Sequence, residues 1–226
     1  TFKDCPKWPK DKIHNLTIVV IDRIHSDVHA QLVKDAIATW KYYAPVFDYT
    51  INVPTKRPTD ITIYIDESSE CSYGANPCAA GTSLLYDKER SIKYAMISMG
   101  RDACSGEKVY ICREFNLQLF YRLALHEFGH ALGLGHSVKE NKKFPIDIMD
   151  ARILSPDAQI TKLDTKKLES MYSAMEQSPM PNCENGDYIL CWVVENRIND
   201  QWHDKADTNM LEYDMINNCA SWWVTI

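Results

Sequence analysis

The sequence predicts an α+β domain, a twisted sheet backed by two helices, with a third helix following and a cysteine-containing tail after that. Three observations carry this. Runs rich in Ile, Val, Thr and Tyr at 16–21, 60–66 and 94–99 read as strands. Residues 27–43 and 113–132 carry apolar side chains every three or four positions, the spacing of a helix with one buried stripe. The order is strand, helix, several strands, helix, which lays a helical layer against a sheet.

The elements follow in chain order. Residues 16–21 form a buried β-branched strand. Ser26 is the expected N-cap of a helix over 27–43, whose stripe is Leu32, Val33, Ala36, Ile37, Trp40 and Tyr43. Pro45 ends it. Residues 47–52 form a second strand, and Pro54 and Pro58 mark the loop beyond. Residues 60–66 alternate cleanly and make a third strand. The Ser-, Gly-, Asn-, Pro- and Cys-rich stretch 67–80 is expected to be a loop, 81–86 a short strand, 94–99 a further strand and 101–111 a second cysteine-bounded loop. The helix over 113–132 has a core face of Leu117, Phe120, Tyr121, Ala124, Phe128 and Ala131. Thr161 and Asp164 form a capping pair for a third helix striped by Leu163, Leu168, Met171 and Tyr172, ending near 175. Pro179 and Pro181 break the pattern. We therefore expect a catalytic domain at 1–178 and a C-terminal extension at 179–226 packed on it, with three cysteines and Trp192, Trp202, Trp222 and Trp223.

Composition narrows the function. The chain has 226 residues, 25% of them charged, with a formal net charge of -6. Such a balance gives no basic surface for nucleic acid. No apolar run reaches the roughly 18 residues that a membrane helix needs, and the opening Thr1-Phe2-Lys3-Asp4-Cys5 reads as a processed start. Eight cysteines, none in a CxxC pair, read as four disulfides and hence a secreted protein. Local spacing favours Cys71–Cys78 and Cys104–Cys112. Cys5, Cys183, Cys191 and Cys219 then pair among themselves, in an arrangement left open. Asn15-Leu16-Thr17 is a glycosylation sequon.

The chemistry concentrates at 126–137, HEFGHALGLGHS. His126 and His130 are four apart, so a helix presents both imidazoles on one face. Glu127 sits beside them, placed to handle a metal-bound water without being a ligand. Gly133 can end the helix in a backbone conformation that residues with a Cβ resist. The chain can then return His136 as a third ligand. Three protein ligands leave a fourth position for water, the arrangement of catalytic zinc and not of structural zinc. The mild alternative is an amphipathic helix with surface histidines. Five specified residues at fixed spacing make chance occurrence on the order of one in 10^5.

This extended motif is that of the metzincins. With Ser137 after the third histidine it resembles the matrixin branch. Ile148-Met149, twelve to thirteen residues beyond His136, is similar to the Met-turn. Trp8-Pro9, the Trp40 helix, Asp60-Ile61-Thr62-Ile63 and the helix around Leu168 match the matrixin order of elements, over roughly residues 6–175. The resemblance implies a mostly parallel sheet of about five strands with an antiparallel edge strand. It also implies His126, His130 and His136 as ligands of one catalytic zinc, Glu127 as general base, Gly133 as the turn glycine and Met149 as the floor under the metal. It further implies an extended substrate along an edge strand, which we place at Gly81, Thr82, Ser83, Leu84, Leu85 and Tyr86. The chain departs from the family in two ways. No second histidine cluster precedes the catalytic helix, so a structural zinc is not expected and calcium has no support. Asp150-Ala151-Arg152 follows the Met-turn in place of the usual Tyr-Pro.

The expected activity is that of a secreted, monomeric zinc endopeptidase acting on protein or peptide substrates through a zinc-bound water. Two alternatives are a zinc hydrolase for a non-peptide amide and a binding module with a vestigial site. A remnant latency role for Cys5 is disfavoured by the even cysteine count.

Overall fold

The computed structural model describes residues 6–52, 59–68, 78–105, 111–136, 146–150, 158–173 and 219–225. In chain order these form α1 (Lys10–Ile13), β1 (Leu16–Asp22), α2 (Asp27–Tyr43), β2 (Tyr49–Asn52), β3 (Ile61–Ser68), β4 (Cys78–Tyr86), β5 (Ile92–Ser105), β6 (Ile111–Glu114), α3 (Leu117–Ala131), β7 (Ile146–Asp147), β8 (Ala158–Gln159), α4 (Lys162–Ser173) and β9 (Cys219–Thr225). Cys5, Cys71, Cys183, Cys191, Ser137 and Arg152 lie outside the described residues.

One sheet runs β2-β1-β3-β5-β4-β9, with β6 paired to β5 beside that path. β1 is parallel to β2 and to β3, and β3 is parallel to β5. β4 runs antiparallel to β5, as the resemblance implied. The expected five strands therefore form the body of the sheet. β9 adds a strand outside β4, antiparallel to it. Ile61, Ile63 and Ile65 alternate into the core, where they meet Val33, Ala36, Ile37 and Trp40 of α2 and Phe120, Leu123 and Phe128 of α3. Period-2 burial on the strands thus meets period-3.6 burial on the helices.

The sequence reading needs adjusting at several margins, first at the stretch 67–80 read as a loop, where β3 continues to Ser68 and β4 already begins at Cys78. Residues 101–105 and 111–114 are not all loop: β5 continues to Ser105 and pairs antiparallel with β6. The polar composition of that stretch suits a hairpin at a sheet margin as well as it suits a loop. The helix α3 begins at Leu117, not near 113, because Asn116 caps it, its side chain accepting from Leu119 N at 2.8 Å. Leu117, in the first turn, is therefore 47% exposed and not part of the core. Tyr43, at the end of α2, is likewise 52% exposed. Ser26 does stand at the N-cap of α2 but makes no cap bond; its hydroxyl lies 2.7 Å from His29 Nδ1 instead.

Three long-range bonds close the domain around the end of α3, where backbone carbonyls have no partner within the helix. The Trp8 indole donates to Ala131 O at 2.8 Å, and the Tyr172 hydroxyl donates to Leu132 O at 2.7 Å. Trp8 N in turn donates to the Tyr172 oxygen at 3.2 Å. The indole of Trp40 donates to Leu125 O nearly two turns earlier, at 2.7 Å. The N-terminal segment, α2 and α4 are thereby fastened to the helix that carries the site.

The Thr161–Asp164 capping pair forms as expected, with Asp164 Oδ2 accepting from Thr161 N at 2.9 Å. Asp164 is buried, and burial pushes its carboxyl up to about 7, Asp147 adding to the rise while Thr161 and Lys167 oppose it. The folded state therefore holds this proton to higher pH than the unfolded chain, whose carboxyl titrates near its ordinary 3.8. Stability from this group is present below 3.8 and is lost as pH rises toward about 7. Asp164→Asn keeps an acceptor for Thr161 N and has no such proton. Its melting temperature relative to the natural chain should climb across that window, at most about 1.4 kcal/mol per pH unit. A difference independent of pH would show that Asp164 titrates normally.

Candidate active site

α3 brings His126 and His130 to one face, and both are fully buried. After Ala131 the helix stops. Gly133 has φ +98°, and a Cβ there would stand 2.7 Å from Pro6 O and 2.9 Å from Met171 Cε, so backbone conformation and space both demand glycine. Gly133 N donates to His130 O at 2.8 Å and Leu134 N to Gly129 O at 3.0 Å, which completes the helix end. The reversal carries His136 back. The three Nε2 atoms converge, 3.0 Å between His126 and His130 and 3.1 Å from each of these to His136.

These short contacts are not hydrogen bonds among the rings. His126 Nδ1 lies 2.6 Å from Ile148 O, and His130 Nδ1 lies 2.7 Å from Leu134 O. A carbonyl only accepts, so Nδ1 of each ring carries the proton and Nε2 is a bare lone pair. Burial also holds both imidazoles neutral, pushing His126 down to about 4 and His130 well below its ordinary value. Lone pairs directed at one point repel unless a cation lies between them. Ligands about 2.05 Å from a tetrahedral zinc stand about 3.3 Å apart, close to the spacing here. The residues present fit the ion: a three-nitrogen set in which backbone carbonyls fix the tautomers of His126 and His130.

Glu127 is fully buried as well. Its Oε2 accepts from the Thr82 hydroxyl at 2.7 Å. Its Oε1 has no hydrogen-bond partner among the described residues. Burial raises the carboxyl to about 8, and the bond from Thr82 opposes that rise. A cation held by the neighbouring histidines would draw it down again. Thr82→Val should therefore leave a second buried oxygen unpartnered, costing about 1–3 kcal/mol, and should move the acid limb of kcat/KM to higher pH. An unchanged pH profile would remove Thr82 from the site.

Met149 is buried beneath α3. A Cβ on Gly129 would come within 2.4 Å of its Sδ, so the thioether lies directly against the residue preceding His130. The backbone around Met149 is held by Ile148 N donating to Gln159 O at 2.9 Å, in the strand pair β7 and β8. Of the expected substrate strand, residues 81–86 lie in β4, and Thr82 touches Glu127. Along its outer side β9 pairs from Cys78 to Leu85.

The sequence reading missed three contributors: Thr82 as the partner of Glu127, the Ile148 carbonyl that orients His126, and the tight packing of Gly129 on Met149. Each joins segments far apart in the chain. Only Gly129 left a local trace, a glycine inside a helix whose propensity cost calls for a packing reason.

A model of the matrixin family, Peptidase_M10, matches residues 7–173. The chain belongs to the matrixin family. Matrixins are in general class zinc metallopeptidases, and the three histidines here could hold one ion. Two solved structures of myroilysin resemble this matrixin, both with a TM-score of 0.33. One is 19% identical over 58% of this chain and 52% of that one. The other is 20% identical over 58% of this chain and 47% of that one. The matrixin described here thus spans about half the length of each. No curated protein matches it. No helix among the described residues is long and apolar enough to cross a membrane.

Proposed function

We propose that this matrixin is a secreted zinc endopeptidase in which His126, His130 and His136 hold one catalytic zinc and Glu127 is the general base. The observation that carries the reading is the unequal state of the two Glu127 oxygens. Oε2 is anchored by Thr82, and Oε1, on the same helix as two of the ligands, is buried without a partner among the described residues. An unpartnered buried carboxylate oxygen is costly, and here it has a use. Zinc in this set supplies a Lewis acid that acidifies water and polarises a carbonyl. Glu127 Oε1 accepts a proton from the attacking water as the new C–O bond forms. It then delivers that proton to the leaving amine nitrogen as the C–N bond breaks. Thr82 holds the carboxylate plane while this happens. Substrate lies extended along β4 over residues 81–86, matched backbone to backbone.

The rest of the reading consists of companion proposals. Secretion and monomeric state follow from cysteine content and family habit. Residues 1–178 form the catalytic unit, and 179–226 an extension packed on it. Cys104 and Cys112 are register partners on β5 and β6, a separation that disulfides span, which favours that pairing. Met149 serves as the floor of the site.

Metal analysis tests the reading. The purified protein should carry one zinc per chain and cleave a denatured protein substrate. A chelator should abolish cleavage and zinc should restore it. Hydrolysis of a non-peptide amide alone would move the protein to another hydrolase class, and zinc binding without any hydrolysis would make it a binding module.

A further inference from the structure

A strand has two rows of backbone donors and acceptors. One row of β4 is taken by β5. The other is the row an extended substrate needs, and in this structure β9 occupies it. β9 pairs antiparallel with β4 in the register Leu85↔Cys219, Leu84↔Ala220, Ser83↔Ser221, Thr82↔Trp222 and Gly81↔Trp223. Trp222 therefore stands opposite Thr82, the residue whose hydroxyl is bonded to the Glu127 carboxylate. The occupied stretch covers five of the six positions 81–86 and lies beside the catalytic pair, not at a remote part of the sheet. Beneath that strand pair His126, Glu127 and His130 are fully buried and His136 is 9% exposed.

We infer that residues 219–225 are an internal competitor for the substrate strand, so that this peptidase is held off by its own β9 until that strand is displaced. The inference rests on the reading of β4 as the substrate strand. One backbone row cannot pair with two strands at once, so β9 and substrate exclude each other. Apparent affinity falls by the fraction of molecules in which β9 is undocked; a tenth undocked means about tenfold weaker binding. Unlike an N-terminal pro-segment aimed at the metal, this device needs no ligand to zinc. It acts through backbone pairing alone, and the bulky run Cys219-Ala220-Ser221-Trp222-Trp223-Val224-Thr225 has the aromatic and β-branched content that favours a strand.

The test uses the full chain with Ala220→Pro and Ser221→Pro together. Neighbouring amides in a strand point to opposite sides, so the pair removes a donor toward β4 whichever of the two it is. Binding is measured in a Glu127→Gln background, where no turnover intervenes, with an extended peptidyl hydroxamate as probe. The proline pair should bind the probe about tenfold more tightly, and with Glu127 restored should cleave a long peptide about tenfold faster in kcat/KM. Equal or weaker binding in the proline pair overturns the inference. Tighter binding without cleavage in either form keeps the competition and sinks the peptidase reading, so the two failures are distinguishable. Hydrogen exchange on the unmodified chain guards against misfolding of the variant. The amides of 219–225 should be protected in the free protein and lose protection when the hydroxamate binds; protection that persists at saturation overturns the inference.

Discussion

Glu127→Gln should keep the fold and the zinc and lose peptide hydrolysis by about 10^3-fold, the scale of a general base. The exchange is nearly isosteric. Gln still offers an oxygen to the Thr82 hydroxyl, so the bond seen at 2.7 Å has a counterpart. Burial raises the natural carboxyl to about 8 when no cation is near, so in the metal-free protein at neutral pH a neutral amide replaces a largely neutral acid. The melting temperature of the metal-free variant should accordingly match or exceed that of the natural chain. Zinc content should stay at one per chain, because the amide takes no ligand away. Glu127→Asp makes the complementary test. It keeps the base but withdraws it by one methylene, and should fall between the two in kcat. Substantial turnover by Glu127→Gln would mean that the base lies elsewhere.

Gly129→Ala should destabilise the domain by about 1–3 kcal/mol, the cost of overpacking a filled core, which is about 2–10 °C in melting temperature for a chain of this size. Helix propensity alone predicts the opposite sign, since alanine is favoured over glycine in a helix interior by about 1 kcal/mol. Space decides between them. The added Cβ would meet Met149 Sδ at 2.4 Å and Trp40 Cζ2 at 3.0 Å. Trp40 cannot yield easily, because its indole is bonded to Leu125 O at 2.7 Å. Met149 is fully buried, so its thioether has to rotate within a packed core, beside the turn whose Ile148 carbonyl orients His126. Zinc affinity should therefore weaken with stability, and Met149→Ala in the same chain should recover part of both. A more stable Gly129→Ala would show that the packing of Met149 on α3 is loose.

The residues that name the chemistry were legible because their geometry is local. Four residues apart on a helix is one face under any tertiary surroundings, so His126 and His130 needed no fold to be paired. Gly133 was legible for the same reason, since a positive φ is a property of one residue and its two neighbours. The alternation at 60–66 and the stripe of α2 were read from periodicity that burial on one side imposes. Where the reading slipped, it did so at margins: at Leu117 and Tyr43, where a helix end meets solvent, and at β6, whose polar residues suit hairpin and loop alike.

By itself, then, the sequence determined the candidate ligands, the proposed base and the layered α+β plan, because each follows from spacing along one helix or strand. The tertiary structure alone decided how those groups are held and covered. It set Thr82 against Glu127, Ile148 O against His126 and Met149 against Gly129. It also laid β9 along β4. Such choices are made by backbone donors and acceptors that every residue carries alike, and by space left between segments far apart in the chain. Neither leaves a mark in the order of side chains.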